Sequence, residues 1–273
     1  MTVPLRSDPV RIRHFARARL QYRLLRSAAQ ALTLAIGIAL GLRTLLYEPC
    51  NIPSQSMLPT LLAGDYLFVA KWPYGYSRYS LPLGLPLFDG RVGGTMPERG
   101  DIVVFKTPRD NRTDFIKRVI GLPGDRIAMR NGVFTINGTA VVRQRIGDFI
   151  MPAADAGDCR QSAGQRFVAN GRAMCRLPRY VETIGARRFA VLDQVANGPT
   201  DTLATVVVPA GQYFVAGDNR DDSADSRLDV ARGGVGMVPA ENLIGRADRI
   251  FFSAEDMPGG AGALRLSRIG EAL

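Results

Sequence analysis

Ser56, in Pro53-Ser54-Gln55-Ser56-Met57-Leu58-Pro59-Thr60, and Lys117, in Phe115-Ile116-Lys117-Arg118-Val119, are the residues whose types and settings suit covalent hydrolysis. A serine nucleophile needs a base to take its proton, and imidazole usually serves. The only histidine, His14, lies among arginines ahead of an apolar run. Of the 35 basic residues only Lys71, Lys106 and Lys117 are lysine, and arginine stays protonated. Any serine hydrolase built on this chain must draw its base from that short list. Lys71 and Lys106 fall at the ends of apolar runs, where a solvated structural role is expected.

Taken alone, Ser56 also fits an ordinary turn between a strand and a helix. Its neighbours add chemistry. Pro53 restricts the approach, and Pro59 is expected to open a short helical turn whose free backbone N–H groups could receive an oxyanion. Ser54 shares a strand face with Ser56 and offers a second donor. An unperturbed lysine is neutral in only about one molecule in a few thousand at pH 7. Phe115, Lys117 and Val119 share one strand face, and desolvation there would lower the lysine pKa by disfavouring its charged form. The same segment by itself also fits a surface lysine snorkelling past apolar neighbours.

A third segment, Gly217-Asp218-Asn219-Arg220-Asp221-Asp222-Ser223-Ala224-Asp225-Ser226-Arg227, follows a β run. A solvated loop is the plain alternative. Interleaved arginines, and the absence of the EF-hand glycine and glutamate, argue against a calcium loop of that type. The Ser223 hydroxyl can orient a neutral lysine without recharging it, and Asp225 with Arg227 can form a bracing ion pair.

The elements that must position these residues read as short strands beyond Tyr47. Asp65–Lys71, Asp101–Lys106, Phe115–Ile120, Thr205–Val208 and Gln212–Ala216 are rich in β-branched and aromatic residues. Gly64-Asp65, Gly100-Asp101 and Pro123-Gly124-Asp125 punctuate them, and Asn131-Gly132 and Asn137-Gly138 flank a hairpin-like run. Residues 72–98 read as a long surface loop, and residues 128–210 as an inserted subdomain.

The net charge of +10 is concentrated at the start: residues 1–27 carry seven arginines against Asp8, and the remaining 246 residues hold only +4. That distribution argues against a nucleic-acid partner. Ala28 to Tyr47 is a 20-residue apolar run, long enough to cross a bilayer as a helix, with Arg43 placed to snorkel. No small-x-small cleavage site follows Leu42, so the run is read as a retained anchor rather than a cleaved signal peptide. The arginine flank predicts an interior amino terminus and an exported remainder. The expected organisation is a basic tail (1–27), an anchor (28–47), a first core part (48–127), an inserted β subdomain (128–210) and a second core part (211–273). Cys159 and Cys175 are candidates for a disulfide in an exported chain, two free thiols being the alternative; Cys50 is then unpaired.

PSQSMLPTL, GDYLFVAKWPYG, RGDIVVFK with FIKRVIGLPGD, and GDNRDDSADSR, in that order behind an anchor, closely resemble the motifs of bacterial type I signal peptidases. The resemblance spans residues 48–227. It implies a mostly β catalytic core with an inserted β subdomain, so the expected fold is mainly β: the single transmembrane helix read above, where several proteobacterial relatives have two, then an exported antiparallel catalytic domain. It implies a membrane-bound endopeptidase that cleaves signal peptides from exported preproteins after an Ala-x-Ala type motif, the substrate lying as an added strand in shallow apolar pockets. Ser56 is then the nucleophile and Lys117 the general base. Ser54 and the Ser56 N–H form the oxyanion hole, Ser223 orients the lysine, and Asp225 and Arg227 brace the site. Cys50, Ile52, Met57, Phe115 and Ile116 line the substrate pockets, with Cys50 standing where the family often has a bulkier apolar residue. Asp222 replaces a common asparagine. Preproteins and the lipid bilayer are the implied partners, the bacterial inner membrane is the implied location, and no metal or cofactor is implied. A peptidase maturing a conjugation pilus and an inactive anchored β scaffold are the alternative readings.

Overall fold

The structure, a computed structural model, describes residues 9–81, 84–85, 87–153, 166–255 and 262–273. The chain divides into two compact units, with the break after Leu46.

The first unit is one α-helix, Pro9–Leu45. Its portion Gln21–Leu45 is 25 residues long and apolar enough to cross a membrane. At 1.5 Å per residue that portion is about 37 Å long, more than a hydrocarbon core of about 30 Å requires. The helix differs from the expected 28–47 span at both ends. Alanine, leucine and arginine all favour helix, so the basic segment continues the apolar run without a break. At the far end Tyr47 belongs to a strand, and Pro49 holds the chain extended there.

The second unit is mostly antiparallel β. Its main sheet has seven strands in the spatial order Tyr47–Asn51, Asp65–Ala70, Leu243–Ser253, Ile102–Lys106, Asp114–Gly121, Gln212–Ala216 and Val238–Pro239. Strand Ile102–Lys106 is buried on both faces: Ile102 and Val104 pack with Leu67, Val69 and Ile250, while Val103 and Phe105 pack with Val119, Val215 and Leu243. Alternation across the pleat therefore feeds two core layers from one strand.

Two four-stranded sheets complete the unit. In one, the long strands Val142–Pro152 and Arg172–Ile184 pair antiparallel, and Arg166–Ala169 and Arg187–Leu192 join the latter. In the other, the order is Leu203–Val207, Arg126–Arg130, Val133–Ile136 and Thr139–Ala140. Its hairpins turn at Asn131-Gly132 and Asn137-Gly138, all four with positive φ, as two-residue turns matched to strand twist require. Leu58, two residues after Ser56, packs among Cys175, Leu177 and Leu192, so this region buttresses the nucleophile segment. Cys175 is fully buried, whereas Cys159, its expected disulfide partner, lies outside the described residues.

Candidate active site

Ser56 sits between strands Tyr47–Asn51 and Asp65–Ala70, in consecutive turns closed by Leu58 N–H to the Gln55 carbonyl (3.0 Å) and Leu61 N–H to the Met57 carbonyl (2.9 Å). A single i→i+4 turn spans Pro59, but no helix begins there as expected. Met57 and Leu61 enter one core cluster and Leu58 another, and that three-way anchoring holds the segment in turns. The Ser56 N–H has no acceptor among the described residues. Ser54 Oγ lies 3.3 Å from Ser56 Oγ.

Strand Asp114–Gly121 delivers Lys117 from the other side. Its Nζ donates to Ser56 Oγ at 2.7 Å and to the Ile116 carbonyl at 2.9 Å, and it lies 5.3 Å from the Phe115 ring centroid. Ser56 and Lys117 are 8% and 3% exposed, so the pair is withdrawn from water. Burial lowers the Lys117 pKa from 10.5 to about 8, against the raising influence of Asp225, Asp218 and Asp222. Desolvation thus outweighs three nearby carboxylates.

Asp225 and Arg227 form a buried two-pronged pair, Nε to Oδ1 at 2.9 Å and Nη2 to Oδ2 at 2.8 Å. Asp225 Oδ2 also accepts the Gly217 N–H at 3.0 Å, so the pair fixes both ends of its loop. Ser223 does not make the hydrogen bond to Lys117 expected of it; the Ile116 carbonyl takes that contact. The Ser223 hydroxyl is buried with no well-formed partner, near enough to Asp225 to help hold that carboxyl below its ordinary pKa. It packs onto Gly217, where a Cβ would lie 2.2 Å from Ser223 Oγ and 2.5 Å from the Ser56 carbonyl oxygen.

Several supports have no counterpart among the sequence expectations. Arg118, beside Lys117, is buried on Asp218 through Nε to Oδ1 (2.8 Å) and Nη2 to Oδ2 (2.6 Å), and Thr60 donates to the same carboxylate. Arg220 pairs with Glu182 in full burial. Asn219 N–H donates to the Ser56 carbonyl at 3.0 Å, and its side-chain amide to the Gln55 carbonyl at 3.2 Å. The arginine–aspartate alternation of GDNRDDSADSR was the available signal, but it does not name partners that lie far away in sequence.

A cleft of about 500 Å³ opens on the pair, lined by Cys50, Ser54, Phe115, Ile116, Val69 and Ile244 among others. Ile52 and Met57, expected in it, lie instead in the core beneath it. Strand Tyr47–Asn51 ends before Ile52, so the alternation that brings Cys50 to the cleft is not continued there. Cys50 is a free thiol packed against the core, and burial, then Asp114 and Glu48, push its pKa up to about 11. Strand Tyr47–Asn51 is an edge of the sheet. Residues 114–117 pair on one side only, since strand Gln212–Ala216 joins at Arg118. Two unpaired backbone edges thus border the cleft.

An antiparallel β domain carrying a buried serine–lysine contact at the floor of an apolar cleft, in a chain with a membrane-length helix, defines a membrane-anchored hydrolase of the serine peptidase class. The family described as "Signal peptidase, peptidase S26" matches residues 25–252. Signal peptidase I of Rickettsia typhi is 40% identical over 225 residues, 82% of this chain and 78% of that one. Signal peptidase I of Rickettsia canadensis is 39% identical over 220 residues, 80% of this chain and 76% of that one. The crystal structure of a signal peptidase I from Enterococcus faecalis is 25% identical, covering 56% of this chain and 97% of that one, with a TM-score of 0.30. The chain belongs to the signal peptidase, peptidase S26, family, and it is a serine endopeptidase that cleaves signal peptides.

Proposed function

We propose that this peptidase cleaves preproteins after an Ala-x-Ala type motif, with Ser56 as nucleophile and Lys117 as general base. The observation that carries the reading is the buried 2.7 Å contact between Lys117 Nζ and Ser56 Oγ. With a pKa of about 8 the lysine is neutral in about one molecule in ten at pH 7, several-hundredfold more than in water. Neutral Lys117 takes the Ser56 proton as Oγ attacks the scissile carbonyl. The unengaged Ser56 N–H and the Ser54 hydroxyl receive the developing oxyanion. Lys117 then protonates the leaving amine, which is the new amino terminus of the mature protein. Water, deprotonated by the same lysine, releases the signal fragment from the Ser56 ester.

Asp225 and Arg227 hold the loop that walls the site, and Ser223 acts through that loop's packing rather than through a direct bond to the lysine. The preprotein enters as an extended strand between the two unpaired edges, its small side chains directed to the pockets at Cys50, Phe115 and Ile116. The arginine-rich flank supports an amino terminus on the cytoplasmic side of the bacterial inner membrane and a catalytic unit on its outer face. Cleavage of a purified preprotein by detergent-solubilised wild type and folded Ser56→Ala, with the products sequenced, tests this reading. Cleavage after Ala-x-Ala that disappears in Ser56→Ala is expected; equal cleavage by both overturns it.

A further inference from the structure

Away from the cleft, the loop after strand Arg187–Leu192 packs on the GDNRDDSADSR loop and gathers three carboxylates. One oxygen from each of Asp193, Asp201 and Asp221 lies within 4.8 Å of the other two. The ligands come from separated loops, so the cluster is unrelated to the contiguous calcium loop that the sequence argues against.

Each carboxylate has one oxygen held by the protein. Asp201 Oδ2 accepts the Gly198 N–H at 2.7 Å, Asp193 Oδ2 accepts from Arg143 at 2.6 Å, and Asp221 Oδ2 accepts from the Gln194 and Val195 N–H groups. Two of the remaining oxygens are a different matter. Asp201 is 1% exposed and the Asp193 side chain 9% exposed, yet Asp201 Oδ1 and Asp193 Oδ1 have no hydrogen-bond donor. Buried acceptors are nearly always satisfied, and leaving a charged one bare beside like charges is costly. Arg143 binds the opposite oxygen of Asp193 and Arg227 binds Asp225; Arg143 Nε and Arg227 Nη1 are themselves buried without partners, and neither comes within hydrogen-bond distance of these two oxygens.

Oxygen ligands on opposite sides of a calcium-sized ion stand about 4.8 Å apart, because each metal–oxygen distance is about 2.4 Å. An all-oxygen, all-carboxylate set selects a hard cation over zinc or copper. A cleft of about 500 Å³, bordered by Asn131, Asn197 and Gln194 as well as Arg143 and Arg145, reaches Asp193 and Asp201 and provides an entry path. We propose that Asp193, Asp201 and Asp221 bind one hard divalent cation of the calcium class. The ion ties the 193–201 loop to the segment that carries Asp222 and Ser223.

The test is calorimetric titration of CaCl2 into full-length, detergent-solubilised protein freed of metals with EDTA, with MgCl2 in parallel and melting followed in both. Stoichiometric heat is expected, with Tm raised by about 3–6 °C at ten times Kd. Both signals should vanish in Asp201→Asn and Asp193→Asn and persist in the exposed control Asp89→Asn. Without added metal, Asp201→Asn should melt no lower than wild type, because it removes repulsion among the three carboxylates. No heat and no Tm shift with either cation overturns the proposal, as does an equal response from wild type and Asp193→Asn. Should Asp201→Asn fail to fold, the wild-type titration and Asp193→Asn still decide it.

Discussion

The backbone N–H of Asn219 donates to the carbonyl of Ser56 at 3.0 Å, so the polar loop after strand Gln212–Ala216 is hydrogen-bonded to the nucleophile's own residue. This contact makes the loop part of the site's frame, alongside its electrostatic influence on Lys117.

Gly217 is where that frame is tightest. A Cβ there would meet the Ser56 carbonyl oxygen at 2.5 Å and Ser223 Oγ at 2.2 Å. Neither backbone nor a buried hydroxyl yields cheaply. Gly217→Ala is expected to lower kcat about a hundredfold with little change in KM, because a misplacement of about 1 Å is felt mainly in the transition state. Steady-state kinetics on one preprotein checks this; an unchanged kcat contradicts it.

Burial of Lys117 has a stability cost with a definite pH dependence. Its folded pKa of about 8 lies below its ordinary 10.5, so the cost is complete below pH 8, falls away as the pH rises from 8 to 10.5, and is absent above that. The separation corresponds to roughly 3 kcal/mol. Lys117→Met should therefore abolish cleavage while raising Tm at pH 7, with the gain shrinking by pH 10. Thermal melts of both proteins at the two pH values measure it.

Asp222 acts on the same lysine through charge. It is exposed and favours the protonated form. Asp222→Asn lowers the Lys117 pKa, so the acid limb of the kcat/KM profile moves to lower pH, and less so at high salt because the interaction is screened. Profiles at two ionic strengths report both effects.

Arg118 and Asp218 are buried on each other. Removing one charge leaves the other uncompensated, and Asp218→Ala is expected to cost about 3–5 kcal/mol of stability. Replacing both with apolar residues of similar volume should recover much of that loss. Denaturant unfolding of the single and double variants distinguishes a bracing pair from an incidental one.

Cys50 lines the cleft where a larger apolar side chain would narrow it. Cys50→Leu is expected to reduce kcat/KM about tenfold for preproteins with valine or leucine three residues before the cut, and to leave alanine substrates nearly unchanged. A substrate series varied at that one position tests the assignment.

What could be read from residue types was local. The shortage of bases singled out Lys117, and β-branched runs with Asn-Gly turns marked the strands and hairpins. Longer-range relationships were not legible: Arg118 finds Asp218 100 residues on, and Arg220 finds Glu182 in a different sheet. Ile52 was expected in the cleft by its place in the family motif, and a motif position does not say that the side chain turns into the core, where Ile52 is 2% exposed. Pro59 suggested a helical start, but Met57 and Leu61 pack into one cluster and Leu58 into another, and the chain between them stays in turns. At Pro59 tertiary burial overrode local preference.

The most direct test of the Ser56–Lys117 account is the pH dependence of kcat/KM for preprotein cleavage by the wild-type enzyme. A one-proton acid limb with its midpoint near pH 8 is the predicted result, reporting loss of the neutral lysine. A profile flat through that region, or a limb at the ordinary lysine value of 10.5, would contradict a buried lysine base.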